Sequence, residues 1–357
     1  MQLLLERIKS RIKYSLSIVF LVDIFFIQFS HAKELISGVH VNQYKVIRDI
    51  EWAKPKGYSL TMDIYIPQTG KSNYPVLIIY HGGGWLINNK SIMDSMSIYI
   101  AQHSEIIVCN VNYRLLGDNE NTTTINEIIE DALGSFLWVK ENISVYKGDP
   151  SRIAVTGDSA GGQLAAMVIL GGDKLGSGGF KGKFPGYNPT FLPEGLIAED
   201  VVRKKILAAQ AAVLSYPAID VYDKCLKGEE TQLNFFWNLA KKNPRGFFGD
   251  SINVQNNAEL YKAVSPIYNI PTLDQRKLPP QLCIVGSKDK ANTPVTIQNY
   301  VAKLKDAGQP VEYWEYEGKP HAFLDTKPNQ YLGTVFYRDA PPAIDRIIEF
   351  LNRVFKL

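Results

Sequence analysis

Short apolar runs alternate along most of the chain with longer stretches in which apolar residues recur every three or four positions. "YKVIRDI" and "LTMDIYIP" alternate apolar and polar side chains, which predicts two strands joined by a Lys-Pro-Lys-Gly turn. "YPVLIIYHGGG" and "EIIVCNVNYRL" are continuous apolar runs, the pattern of strands buried on both faces. Between them "SIMDSMSIYIAQ" has helical spacing. In "TTTINEIIEDALGSFLWVKENI" the residues Ile125, Ile128, Ile129, Ala132 and Phe136 share one helical face, with Thr122–Thr124 placed to cap it. "RIAVT" is a further strand. It runs into "GDSAGG", and a helix is expected to begin near Gly161.

The second half continues the alternation with one interruption. The glycine-rich stretch 171–190 predicts a loop, and "KILAAQAAVLSYPAI" a buried strand. Residues 218–270 then break the rhythm, with aromatic clusters at Phe235-Phe236-Trp237 and Phe247-Phe248 and helical spacing at 231–241. We read 218–262 as a small cap insertion over one end of the sheet, its aromatics packing mainly on the core. "PPQLCIVGSKD" and "PVEYWEYEG" are strands, "TIQNYVAKLKDAG" is a helix stopped by Gly308, and "APPAIDRIIEFLNRVF" is a closing helix. Strands alternating with helices predict an α/β fold whose central sheet is mostly parallel and flanked by helices. No internal repeat is visible.

Composition narrows this little. The 357 residues are 45% hydrophobic and 21% charged with a formal net charge of +3, and basic residues are dispersed, so a nucleic-acid partner is not expected. Cys109, Cys225 and Cys283 are widely spaced and form no CxxC pair, which predicts buried thiols and no disulfide framework or metal site. The first 32 residues differ from the rest. Arg7, Lys9, Arg11 and Lys13 precede "YSLSIVFLVDIFFIQF", and Ser30-His31-Ala32 supplies a small-x-small cleavage pattern. Residues 1–32 are therefore expected to be a secretory signal, leaving a domain at 40–357 in a secreted or periplasmic protein. Asp23 interrupts the apolar run. The alternatives are an uncleaved anchor at residues 14–29, which alone would bring a membrane into play, and a plain N-terminal helix. Asn121-Thr122-Thr123 and Asn142-Ile143-Ser144 match the glycosylation acceptor pattern.

Gly157-Asp158-Ser159-Ala160-Gly161 places a serine where a buried strand turns into a helix. In such an elbow the hydroxyl is exposed on a strained turn, and the helix start directs N–H groups at developing negative charge. A serine needs a base, and the chain has five histidines. His31 lies in the leader, His40 precedes the first strand, and His103 falls on the surface of a helix. His81 heads "HGGGW", whose exposed backbone N–H groups suit an oxyanion hole better than a base. His321, after the last strand, suits the base. Asp289, just past the preceding strand, suits the carboxylate that orients it; Glu317 is the rival but is only four residues from His321. The order Ser159, Asp289, His321 is that of an α/β-hydrolase. Asp158 is read as a local hydrogen-bonding residue.

"HGGGW", "NYRL", "DALGSFLWV", "SRIAVTGDSAGGQLAA", "SPIYNI", "GSKD" and "GKPHAF" together resemble the hormone-sensitive-lipase-like branch of the α/β-hydrolase esterases and the related secreted carbohydrate esterases and arylformamidase-like enzymes. The resemblance runs from about residue 45 to the end. It implies Ser159 as nucleophile, His321 as base and Asp289 as its orienter. It also implies an oxyanion hole from the backbone N–H groups of Gly83, Gly84 and Ala160, with His81 holding the glycine loop. Trp85 stands where many lipase-like members carry Phe, and Lys290 where many bacterial members have Pro-Leu after the acid. The expected activity is that of a serine carboxylesterase acting through an acyl-enzyme on short-chain acyl esters, acetyl or feruloyl esters of carbohydrates among them, with no cofactor and no metal. The competing readings are an arylformamidase-like amidase and a non-catalytic binding protein on the same scaffold.

Overall fold

A computed structural model describes residues 41–180 and 186–357. The leader expected over 1–32, with its cleavage pattern and the alternative anchor at 14–29, lies outside the described residues, as do His31 and His40.

Eight strands form one sheet in the order β1-β2-β4-β3-β5-β6-β7-β8. β1 (Tyr44–Ala53) and β2 (Leu60–Pro67) are antiparallel, and β2 pairs antiparallel with β4 (Ile107–Val111). From β4 onward every pairing is parallel, through β3 (Tyr74–Tyr80), β5 (Gly148–Asp158), β6 (Ala211–Ser215), β7 (Gln281–Gly286) and β8 (Val311–Tyr316). Every residue of β3, β4, β6 and β7 is buried, as their unbroken apolar runs require; such strands need helices on both faces. α1 (Asp94–His103) packs against α5 (Pro341–Phe355), and α2 (Ile125–Asn142) against α3 (Ser159–Gly171).

The local signals behave as their chemistry predicts. The N–H of Thr124 donates to Glu127 Oε2 (2.9 Å), closing the start of α2. α4 (Pro294–Asp306) stops at Gly308, whose φ of +74° lets Gln309 N–H reach back to the Leu304 carbonyl (2.8 Å). All three cysteines are buried and free. His103, expected at the surface, is half-buried, its ring stacked on Tyr99 at 3.9 Å.

Three expectations change in extent. β6 covers only 211–215, because residues 204–210 leave the sheet after the short helix Ala198–Arg203. The helix expected near Gly161 begins two residues earlier, directly at Ser159. The helical spacing at 231–241 yields a single turn, Phe236–Leu239, because long-range contacts decide its geometry. That turn belongs to an excursion between β6 and β7 that also carries the short helices Val221–Leu226 and Ala258–Ala263. Its aromatics divide: Trp237 and Phe247 are buried, Phe236 and Phe248 half-buried, and Phe235 exposed.

Candidate active site

The C-terminal ends of β3, β5, β7 and β8 bring together the loops that carry the candidate residues. At the end of β5, Ser159 has φ +50°, the left-handed conformation that a sharp strand-to-helix turn demands. The flanking glycines are sterically required. A Cβ on Gly161 would overlap the Tyr80 carbonyl and sit 2.6 Å from the His81 oxygen, and one on Gly157 would overlap the Gly161 carbonyl. α3 therefore starts in backbone contact with the end of β3, and its first N–H groups have no partner within the helix.

His321 Nε2 lies 3.0 Å from Ser159 Oγ, and its Nδ1 lies 2.7 Å from Asp289 Oδ2. Asp289 is almost wholly buried. Its other oxygen accepts the N–H groups of Ala291 (2.8 Å) and Asn292 (2.9 Å), so the carboxylate is held from both sides and presents one oxygen to the imidazole. The loops bearing Asp289 and His321 are laced together. Lys288 N–H donates to the Lys319 carbonyl (2.9 Å), and Gly318 N–H to Ser287 Oγ (2.7 Å). A Cβ on Gly286 would overlap the Lys319 carbonyl, so only glycine lets them approach this closely. Glu317 is exposed and makes no bond to His321 among the described residues.

The glycine loop after β3 is fixed by its carbonyls and by Asp158. Gly83 O accepts the N–H groups of Leu86 and Ile87 (both 3.1 Å). Gly82 N–H donates to Asp158 Oδ1 (2.7 Å), the local hydrogen-bonding role expected of that residue. Gly83 and Gly84 have φ of +125° and +60°, and among the described residues neither N–H donates to a protein acceptor. His81 is buried under the loop, its Nδ1–H donating to Gly82 O (2.8 Å) and its ring stacked on Tyr113 at 4.3 Å. Burial pushes its imidazole down to about 4, so it is neutral at pH 7. Burial also pushes Asp158 up to about 6, partly offset by the charge of His321 and the Gly82 N–H. Asp325, four residues past His321, is driven well above the carboxylate range by burial and by Asp158.

Several contacts of the site are not readable from spacing. Tyr216, just past β6, stands edge-on to the His321 ring at 4.7 Å. Its carbonyl accepts Asn292 Nδ2 (2.7 Å), so Asn292 ties the imidazole's support to the loop that holds Asp289. Trp85 is buried, donating from Nε1 to Gln163 Oε1 (3.1 Å), while Gln163 Nε2 donates to the Val264 carbonyl (2.8 Å). The Phe236 ring lies directly on Gly84. Arg114, from "NYRL", is buried and forked onto Asp131 of α2 through Nε (2.8 Å) and Nη2 (2.7 Å), with the Thr190 hydroxyl on the same carboxylate.

Against known proteins, a family model described as the alpha/beta hydrolase fold matches residues 77–325. A carboxylesterase of Mycobacterium tuberculosis, NlhH, is 38% identical over 105 residues, which is 29% of this chain and 32% of that protein. The versiconal hemiacetal acetate esterase of Dothistroma septosporum is 26% identical over 264 residues, covering 73% of this chain and 70% of that one. The matched segment thus spans about a third of the first of these relatives. Among solved structures, a thermophilic esterase from Thermogutta terrifontis superposes with a TM-score of 0.58 at 21% identity, over 88% of this chain and 92% of that one.

Proposed function

Since the chain belongs to the α/β-hydrolase fold family, we propose that it is a serine carboxylesterase that cleaves short-chain acyl esters through an acyl-enzyme. The observation that carries this reading is the unbroken relay Ser159 Oγ–His321 Nε2–His321 Nδ1–Asp289 Oδ2, with steps of 3.0 and 2.7 Å. Ser159 Oγ attacks the ester carbonyl carbon as its proton passes to His321 Nε2. Asp289 keeps the other ring proton on Nδ1 and stabilises the imidazolium. The oxyanion receives the N–H groups of Gly83, Gly84 and Ala160, each worth about 2.7–4 kcal/mol in sites of this kind. The alcohol departs with the proton from Nε2. Water, deprotonated by the same nitrogen, then attacks the acyl-Ser159 carbonyl and releases the acid. Residues 218–262 act as a small cap that seats Phe236 on Gly84, beside the proposed oxyanion donors. The names of the relatives above, a carboxylesterase and an acetate esterase, favour ester over amide and a small acyl group. On the alcohol side the reading extends to acetyl or feruloyl esters of carbohydrates.

The test is hydrolysis of p-nitrophenyl acetate, butyrate, octanoate and palmitate by the wild-type protein and Ser159→Ala, with folding checked by circular dichroism. Short-chain turnover that falls by at least about 10⁴-fold in a folded Ser159→Ala protein is expected. Appreciable turnover by that variant overturns the mechanism. A folded wild type inert on all four esters but active on an aryl formamide overturns the substrate class.

A further inference from the structure

Half of the exposed large hydrophobic side chains among the described residues fall in two short segments. Leu226, Leu233, Phe235 and Leu239 lie within 226–243, and Tyr331, Val335 and Tyr337 within 326–338. Several are nearly bare: Leu233 and Tyr337 are 82% exposed, and Tyr331 95%. Isolated exposed apolar residues need no explanation, but such clustering does. Both segments border the reaction centre. In the first, Phe235 stacks on Phe236 at 4.4 Å, and Phe236 lies on Gly84 of the glycine loop. In the second, Thr334 Oγ1 donates to the carbonyl of Ala322, the residue after His321 (3.5 Å).

The exposed charges in these segments are basic. Residues 326–338 contain no Asp or Glu. In 226–243 the two acids turn inward. Glu230 accepts Phe247 N–H and the Tyr261 hydroxyl (both 2.5 Å), and Glu229 accepts Asn234 Nδ2 (3.3 Å). Glu120 borders the first segment, next to Asn121, whose amide bonds the Asn243 carbonyl (3.0 Å). Lys227 is paired with Asp223, and Arg338 with Asp339. Lys241, Lys242 and Lys327 are exposed, with no carboxylate at salt-bridge distance among the described residues. Bare apolar side chains interspersed with unpaired lysines are what an anionic lipid surface selects: the apolar groups enter the headgroup boundary and the ammonium groups meet the lipid charge.

We propose that these two segments form a docking face for an anionic lipid surface, holding Ser159 and His321 towards the bilayer. This rests on the esterase reading for its consequence. The natural ester is then an amphiphile drawn from the lipid phase, acylated glycolipids included, in preference to a free sugar ester.

The experiment uses the full chain. Sedimentation with phosphatidylcholine vesicles, with and without phosphatidylglycerol, is compared for wild type, Leu233→Ser/Leu239→Ser/Tyr331→Ser and Lys241→Gln/Lys242→Gln/Lys327→Gln. p-Nitrophenyl acetate hydrolysis is measured in parallel. Each lysine near an anionic surface contributes roughly fivefold to binding. The expected result is binding to the phosphatidylglycerol vesicles that weakens with salt and falls about tenfold or more in each triple variant, with soluble-ester turnover unchanged. Equal binding by wild type and both variants overturns the proposal, because whatever holds the chain to lipid then lies elsewhere. No vesicle binding, with a self-association that the apolar variant abolishes, also overturns it and makes the face a contact between copies. Vesicle binding is read without turnover, so loss of the esterase reading alone leaves it standing.

Discussion

Gly84→Ala tests the oxyanion assignment and the seating of the cap together. A Cβ at position 84 would lie 2.7 Å from Phe236 Cδ2 and 3.1 Å from Cε2, and Gly84 has φ +60°. Carbon atoms in comfortable contact sit about 3.5–4.0 Å apart, so ring and loop must separate by roughly 1 Å. The left-handed backbone adds a penalty of about 1–2 kcal/mol for a residue with a Cβ. The loop is tied at Gly82 to Asp158 and at Gly83 O to two N–H groups, so the displacement is divided between the Phe236 ring and the Gly84 N–H itself. A 1 Å error in a reacting geometry costs about 10²-fold, and complete loss of one oxyanion donor about 10²–10³-fold in kcat. Gly84→Ala is therefore expected to lower kcat for p-nitrophenyl butyrate by roughly 10²-fold, with a much smaller change in KM. In Gly84→Ala/Phe236→Ala the ring no longer opposes the methyl group, and about tenfold should return, the remainder reflecting backbone strain. A Gly84→Ala enzyme with wild-type kcat would refute the placement of this N–H at the oxyanion. A double variant no better than the single one would refute the contact as the cause.

Three further outcomes follow from the same geometry. Asp289→Asn should retain the fold and lose about 10⁴-fold in kcat, because an amide no longer holds the Nδ1–H tautomer of His321; a loss below tenfold would mean that another carboxylate takes the role. Arg114→Leu strands the wholly buried Asp131 carboxylate and should cost about 3–5 kcal/mol in urea unfolding, while Arg114→Leu/Asp131→Leu should recover much of it. Equal losses in single and double variants would show that packing, and not the charge, sets the cost. His81 should titrate near 4 by residue-resolved NMR, and a midpoint near the ordinary 6.5 would contradict its burial as neutral imidazole. The unfolded chain takes that proton first, so the stability His81 contributes is present above 6.5 and is lost as pH falls towards 4. Asp158, raised from 3.8 to about 6, runs the other way, its contribution present below 3.8 and lost as pH rises through 6. The two partly cancel in a melting curve, which is why the residue-resolved titration is the informative one.

What could be read from the sequence is what local physics governs. β3, β4 and β7 declare themselves because a strand covered on both faces admits almost only apolar residues, and α2 declares itself through its stripe and its Thr124–Glu127 start. Ser159 and Asp289 could be singled out because each follows a strand with a buried apolar run, and His321 because it follows the less buried edge strand β8 within a few residues, so the parallel sheet brings all three to one end whatever the intervening chain does. The crossing of β3 and β4 in the sheet order left no mark on the sequence, since all the strands involved are equally apolar. The excursion between β6 and β7 was least legible. Trp237 is buried and Phe235, two residues away, is exposed, although both are aromatic and the helical spacing at 231–241 yields only a single turn. Trp237 is held by the Glu229 carbonyl, which accepts its Nε1–H (3.0 Å), while Phe235 stacks on Phe236, whose ring in turn lies on Gly84. Tyr216 is an intermediate case: "SYP" after β6 places an aromatic residue at the same end as His321, but only the fold shows its edge against that ring. The candidate triad was therefore legible because the chemistry proposed for it restricts residue type. The parts that shape what reaches it were not, because many side chains fill space equally well and only their long-range contacts distinguish them.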